Sequence, residues 1–262
     1  FIGAMLGRFE LALAQTEGDA ERLRALGAPR VQAIGNIKYD VAPPPADPQK
    51  LAVLAEAVRG RAVFVAASTH PGEEAMVAEA HAAASREIPS LLTIVVPRHP
   101  ERGAEAAAAV AQAGLRTSRR SEGALPDAQT DIHVADTIGE LGLFYRLTRL
   151  AYLGGSLVPH GGQNPIEPAK LGAAILHGPH IHNFTAVYDS LTASGGALLV
   201  DDSADLGATL VKLLRDGAAL DRVAAGASTA VEEMGGANRR AIEAIEPFLI
   251  QARLRRQGET GA

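Results

Sequence analysis

Most of the residues that could do chemistry lie in a few short segments. Ser68-Thr69-His70-Pro71-Gly72-Glu73-Glu74 offers hydroxyls, an imidazole and adjacent carboxylates. Pro97-Arg98-His99-Pro100 holds a guanidinium in extended backbone between prolines. Asp136-Thr137-Ile138-Gly139-Glu140-Leu141 offers a helix start, and the Gly-rich run from Gly154 to Glu167 ends in Asn164-Pro165-Ile166-Glu167. An arginine matches phosphate bidentately and stays charged. Glycines let backbone approach a ligand closely, and amides at a helix start favour an anion. Glu167, in a first helical turn, can accept from hydroxyls such as a ribose diol.

Each segment also has a plainer explanation. Asn164 before Pro165 suits helix capping, with Glu167 merely favoured by the helix dipole. Ile138-Gly139-Glu140 is also accounted for by a helix opening after a strand, capped by Asp136 or Thr137. A lone Arg98 commonly serves a surface ion pair. Asp201-Asp202 reads better as a turn and helix cap than as a metal pair. The dinucleotide, P-loop and nucleophile-elbow signatures are missing. His70-Pro71-Gly72-Glu73-Glu74 with His177 and His180 leaves a zinc-dependent deacetylase as an alternative. Against it, Gly72 stands where a carboxylate ligand belongs.

The elements that must position these segments alternate along the chain. Apolar runs at 11–15, 31–35, 62–68 (AVFVAAS), 91–97 (LLTIVVP), 131–136 and 151–156 read as strands, with AAILHG and ALLVDD completing the set. Helical stretches separate them, beginning near Gly72, Glu101 and Ile138, with a short one at Pro165–Leu171. Continuously apolar strands alternating with helices predict an α/β fold with a doubly covered parallel sheet. Ligands of such sheets sit beyond the carboxyl ends of the strands, where the chemically loaded segments fall. The segment APPPADP (42–48) breaks the pattern and suits either a stiff connector between domains or an ordinary loop.

Composition narrows the function. The chain has 262 residues, 47% hydrophobic, which is enough for a large core. A net charge of −5 and 4% aromatics argue against a nucleic-acid partner. No cysteine is present, which excludes thiolate zinc sites and cysteine nucleophiles. No run reaches the length of a membrane-spanning helix. The chain opens on Phe1 with an apolar pattern already running, so a fragment of a longer protein is expected. The arginines between Arg239 and Arg256 suit a solvated helix face, or less simply an anionic lipid surface.

The segments GNIKYD (35–40), ASTHPGEE (67–74), PRHPER (97–102), RRSEG (119–123), DTIGELGLFY (136–145), GGSLVPHGGQNPIEPA (154–169) and GPHIHNF (178–184) occur in order. Together they resemble the bacterial 3-deoxy-D-manno-octulosonic acid (Kdo) transferases over nearly the whole chain. The resemblance implies a Rossmann-like donor domain of a GT-B glycosyltransferase at 41–262, with residues 1–40 a remnant of the acceptor-binding N-terminal domain. It implies transfer of Kdo from CMP-Kdo to a lipid A precursor at the cytoplasmic face of the inner membrane, without metal or cofactor. By the same resemblance Pro97, Arg98, Ile138, Gly139, Glu140, Asn164, Pro165, Ile166 and Glu167 bind CMP, and Lys38 stabilises the transition state. The family's general base is expected outside this chain, which leaves a non-catalytic nucleotide-binding module as another description of the fragment.

Overall fold

A computed structural model describes residues 1–259, with side chains to Arg253, so Arg255 and Arg256 of the basic stretch lie outside the described side chains. The chain forms two compact units. One comprises residues 1–42 with the chain from Glu232 onward, the other residues 43–231. The C-terminal helix thus groups with the first 42 residues.

In the first unit, α1 (Ile2–Leu6) precedes a small parallel unit of β1 (Ala12–Ala14), α2 (Glu17–Ala25) and β2 (Val31–Ala33). Thr16 caps α2, its hydroxyl oxygen accepting from the Asp19 N–H at 3.1 Å. A 3-10 turn, Ile37–Asp40, follows β2. The C-terminal helix, Ala237–Glu259, is tied to this turn and strand. Arg240 Nε donates to the Ile34 carbonyl at 2.8 Å, and Asp40 accepts from the Gly236 N–H at 2.6 Å.

The second unit runs α3 (Pro48–Ala57), β3 (Ala62–Thr69), α4 (Glu73–Ala84), β4 (Leu91–Pro97), α5 (Gly103–Gln112), β5 (Thr117–Arg119), β6 (Ile132–Val134), α6 (Leu141–Leu147), β7 (Leu150–Leu153), α7 (Ile166–Lys170), β8 (Ala174–His177), α8 (Thr185–Ala193), β9 (Ala197–Leu199), α9 (Ser203–Arg215) and α10 (Gly217–Met234). Its strands form one parallel sheet in the order β5-β6-β4-β3-β7-β8-β9. β4, β6, β7 and β8 are buried at every residue, because helices cover both faces and leave no room for polar alternation. Phe64, Ala66, Val95, Ile132, Tyr152 and Leu176 join side chains of α4, α9 and α10 in one core.

Strand order reverses direction at β3, whose neighbours are β4 on one side and β7 on the other. The crevice beyond that junction is where such sheets take ligands. β3 ends in a register irregularity at Ala67/Thr69, where Ser68 adopts φ 57°. Ser68 is the sole non-glycine residue with positive φ among the described residues. That conformation is uncommon for a side chain with a Cβ, and strain of this sort clusters at ligand sites.

Two sequence expectations are corrected. The helix expected from Ile138 begins at Leu141, because Gly139 turns the chain at φ +78° and leaves Glu140 as the flanking residue. Neither Asp136 nor Thr137 caps it. The helix expected at Pro165–Leu171 is Ile166–Lys170, and Asn164 reaches past Pro165 to accept from the Ile166 N–H at 3.1 Å. Asp202 caps α9 as expected, accepting from the Asp205 N–H at 2.9 Å. The edge strand β5 has no counterpart in the sequence reading. Within the sheet unit the Pro-rich segment is fixed rather than free. Arg146 donates to the Pro44 carbonyl at 2.7 Å, and a Cβ on Gly142 would lie 2.2 Å from the Pro45 carbonyl oxygen.

Candidate functional site

The loops beyond β3 and β7 are joined by one buried carboxylate. Glu73 accepts from the His70 N–H at 2.9 Å, the Tyr152 hydroxyl at 2.6 Å, and the N–H groups of Gly155, Ser156 and Leu157 at 2.7, 3.1 and 3.1 Å. The side chain is wholly buried at the start of α4. A carboxylate offers about four acceptor directions, so these donors saturate it. Gly154 is required beside this latch, since a Cβ there would fall 2.3 Å from the Ser68 carbonyl oxygen. Glu74 is occupied as well, by Arg102 at 2.9 Å and by the Thr69 hydroxyl at 2.9 Å.

These contacts remove the support for the zinc reading. Both carboxylates of the His-Pro-Gly-Glu-Glu run are spent on the protein itself. His177 Nδ1 donates to the Gly178 carbonyl at 2.8 Å. Among the described residues no three His, Asp or Glu side chains converge where a metal ion could be held.

On the β4 and β6 side lies an open cleft of about 330 Å³. Ser68, Pro97, Arg98, His99, Ile138 and Gly139 line it, with Arg98 at the rim. The Arg98 N–H donates to the Thr69 carbonyl at 2.9 Å, which sets the loop against β3. The Arg98 side chain is exposed and makes no ion pair or side-chain hydrogen bond among the described residues. The common fate of a lone surface arginine is therefore not its fate here. Ile138 is 87% exposed, an apolar side chain held over the same cleft.

Glu140 serves the cleft indirectly. Its carboxylate is bound by Arg120 at 3.0 and 3.2 Å, by Lys50 of α3 at 2.7 Å and by the Thr137 hydroxyl at 2.7 Å. In this structure the carboxylate is fully engaged by Arg120, Lys50 and Thr137. Arg120 foremost, then Lys50 and Thr137, hold its pKa down to about 2 from an ordinary 4.5, against the opposing effect of burial. A depressed carboxylate pKa stabilises the fold fully above the unfolded value, and that stabilisation is lost as pH falls toward the folded value. Glu140→Gln should therefore flatten the fall of melting temperature between about pH 4.5 and 2. An unchanged pH slope in the variant would show that these ion pairs contribute nothing measurable.

On the β7 side, Asn164 precedes α7 and Glu167 lies in its first turn. Glu167 is half-buried, with Asn164 Nδ2 at 3.4 Å, and burial raises its pKa. It lies close enough to α6 to act electrostatically on Tyr145. The segments around Arg98 and Ile138–Gly139 line one cleft, and Asn164–Glu167 follows β7 of the same parallel sheet. Lys38 belongs to the other unit, exposed in the 3-10 turn Ile37–Asp40. The sequence marks His70 and the Gly-rich run but not the contacts between them. His70 is stacked on His160 with ring centroids 4.0 Å apart, and Gln163 lies 3.0 Å from the His70 Nε2. The glycines around His160 and Gln163 signal backbone approach and carry no mark of these side-chain contacts.

A sequence profile of the family described as 3-Deoxy-D-manno-octulosonic-acid transferase (kdotransferase) matches residues 1–41. The 3-deoxy-D-manno-octulosonic acid transferase of Haemophilus influenzae is 33% identical over 94% of this chain and 58% of its own length. That of Bordetella pertussis is 36% identical over 93% of this chain and 58% of its own length. The chain therefore spans somewhat over half of these relatives. The crystal structure of the C-terminal CMP-Kdo binding domain of WaaA from Acinetobacter baumannii superposes with a TM-score of 0.66 at 33% identity, covering 70% of this chain and 96% of that one. Anabaena Alr3699/HepE in complex with UDP and glucose matches with a TM-score of 0.53 at 15% identity, over 93% of this chain and 65% of that one. The second likeness concerns fold alone.

Proposed function

Because the chain belongs to the 3-deoxy-D-manno-octulosonic acid (Kdo) transferase family, we propose that its sheet unit binds the CMP half of CMP-Kdo, for transfer of Kdo to a lipid A precursor. The sheet unit is a Rossmann-like domain of the GT-B glycosyltransferase type. One observation carries the proposal. Arg98, a guanidinium with no protein partner among the described residues, lines a cleft together with the exposed Ile138.

In the transfer, the bond between the anomeric carbon and the phosphate oxygen breaks and its electron pair leaves with CMP. Positive charge develops on the sugar and negative charge on the phosphate. Groups that bind the phosphate more tightly as that charge grows lower the barrier. Pro97 and Arg98 take the phosphate, and the apolar Ile138 with the Gly139–Glu140 backbone takes the pyrimidine face. Asn164, Pro165, Ile166 and Glu167 take the ribose side. The proposed site uses no metal or cofactor. The acceptor would be met at the cytoplasmic face of the inner membrane. No helix among the described residues is long and apolar enough to cross a membrane.

Calorimetry with CMP in the presence of EDTA tests the reading, and binding is expected to survive the chelator. Failure of CMP to bind at all would overturn it. Glu167→Gln should weaken CMP about tenfold to a hundredfold, because an amide can accept on one atom only. The loss should shrink with 2′-deoxy-CMP. Equal weakening of both nucleotides, with no wild-type preference for the ribonucleotide, would leave Glu167 a helix-start residue. Lys38 is assigned to the transition state. In an enzyme that turns over, Lys38→Ala should lower kcat and kcat/KM together while CMP affinity changes little. Unchanged turnover removes it from the mechanism.

A further inference from the structure

The imidazole of His70 occupies the junction between the two sides of the site. Its ring is stacked on His160 at 4.0 Å with 27° between planes, and stands edge-on to His99 of the Arg98 loop at 6.4 Å and 88°. The residue is only 7% exposed. His160 is itself anchored, its carbonyl accepting from Asn183 Nδ2 at 2.9 Å. Gly155 makes room for the stack, since a Cβ there would lie 3.2 Å from both rings' residues. Such packing is a large commitment for a residue that supports neither the core nor the latch through its ring.

The hydrogen-bond pattern says what the ring is prepared to do. Gln163 Nε2 lies 3.0 Å from His70 Nε2. An amide nitrogen only donates, so His70 Nε2 must present its lone pair. The ring is then neutral, with its proton on Nδ1. Burial, followed by the neighbouring His160, favours that neutral form. Nδ1 has no hydrogen-bond partner among the described residues, yet it is not one of the sealed orphan nitrogens, which belong to His133 and His177. An unsatisfied donor is thus left on a ring that stands between His99 of the Arg98 loop and His160 of the Gly-rich loop.

We propose that His70 is a further donor-binding residue, its Nδ1–H held toward an oxyanion of the CMP-sugar by Gln163 as the positioning residue. The inference rests on the CMP-binding reading above. The oxyanion has two sources in such a donor, the phosphate and the sugar carboxylate. Arg98 supplies charge, whereas His70 supplies direction without a second positive charge to desolvate.

The test compares His70→Asn with His70→Gln in the full chain. An asparagine amide places an N–H near the Nδ1 position, and a glutamine amide places it near Nε2. CMP, cytidine and Kdo (the last with saturating CMP) are titrated against each protein, with circular dichroism to confirm folding. His70→Gln should weaken binding about tenfold to a hundredfold, and His70→Asn should restore most of it. Loss confined to CMP, with cytidine unchanged, supports contact with the phosphate. Loss confined to Kdo supports contact with the carboxylate. Equal affinity of all three ligands for wild type and both variants overturns the inference while leaving the CMP site standing. Equal loss in both variants overturns it too, because packing alone would then explain the effect. No CMP binding by wild type defeats the parent reading and this one together. Nitrogen-15 spectra of the wild-type imidazole give an independent check, and a proton found on Nε2 would refute the assigned tautomer.

Discussion

Glu73→Ala should lower unfolding free energy by about 3–5 kcal/mol, the largest effect of any single change considered. The substitution leaves the N–H groups of His70, Gly155, Ser156 and Leu157 and the Tyr152 hydroxyl without their shared acceptor. Each orphaned buried donor costs about 1–3 kcal/mol, and partial relaxation of the loop recovers some of the sum. For a domain of this size the melting temperature should fall by roughly 10 °C or more. Glu73→Gln should do less harm, because the amide oxygen retains part of the acceptor set while its NH₂ group confronts donors. Thermal unfolding of both variants decides the matter. A loss below about 1 kcal/mol in Glu73→Ala would mean that the glycine loop is held by something else.

Arg98→Ala should act on ligand rather than on fold. The side chain is exposed and unpaired among the described residues, so melting temperature should barely move. A bidentate guanidinium–phosphate contact is worth about 3 kcal/mol, so CMP should bind on the order of a hundredfold more weakly. Cytidine, lacking the phosphate, should bind wild type and variant alike. Arg98→Lys should recover part of the loss, since an ammonium restores charge without the planar fork. Equal weakening of CMP and cytidine would place Arg98 elsewhere than at the phosphate.

The fold was legible where burial is extreme. LLTIVVP and AVFVAAS are apolar at nearly every position, and only strands covered on both faces require that. β5 was illegible for the opposite reason. Thr117-Ser118-Arg119 is a half-buried edge strand of three residues, two of them short and hydroxylic, with no apolar run to mark it. At the site, the loops were visible because glycine, proline and polar residues cluster after each strand. Their side-chain roles were not. Glu73 and Glu74 in one motif look alike in sequence, yet one gathers backbone donors across 82 to 84 positions and the other pairs with Arg102. For Glu140, nothing local shows that Lys50, 90 residues earlier, and Arg120 pair with its carboxylate. Long-range partners set the meaning of a carboxylate, and spacing along the chain does not encode them.

The Glu73 latch also bears on how fast a ligand can arrive. A loop whose amides are already gathered on a buried carboxylate has no folding step left to perform when a nucleotide enters. The ordering entropy of binding then falls mainly on the ligand and on the exposed side chains Arg98 and Ile138. In the proposed nucleotide site, association is then governed by encounter, and residence time by the contacts that Arg98 and Ile138 make.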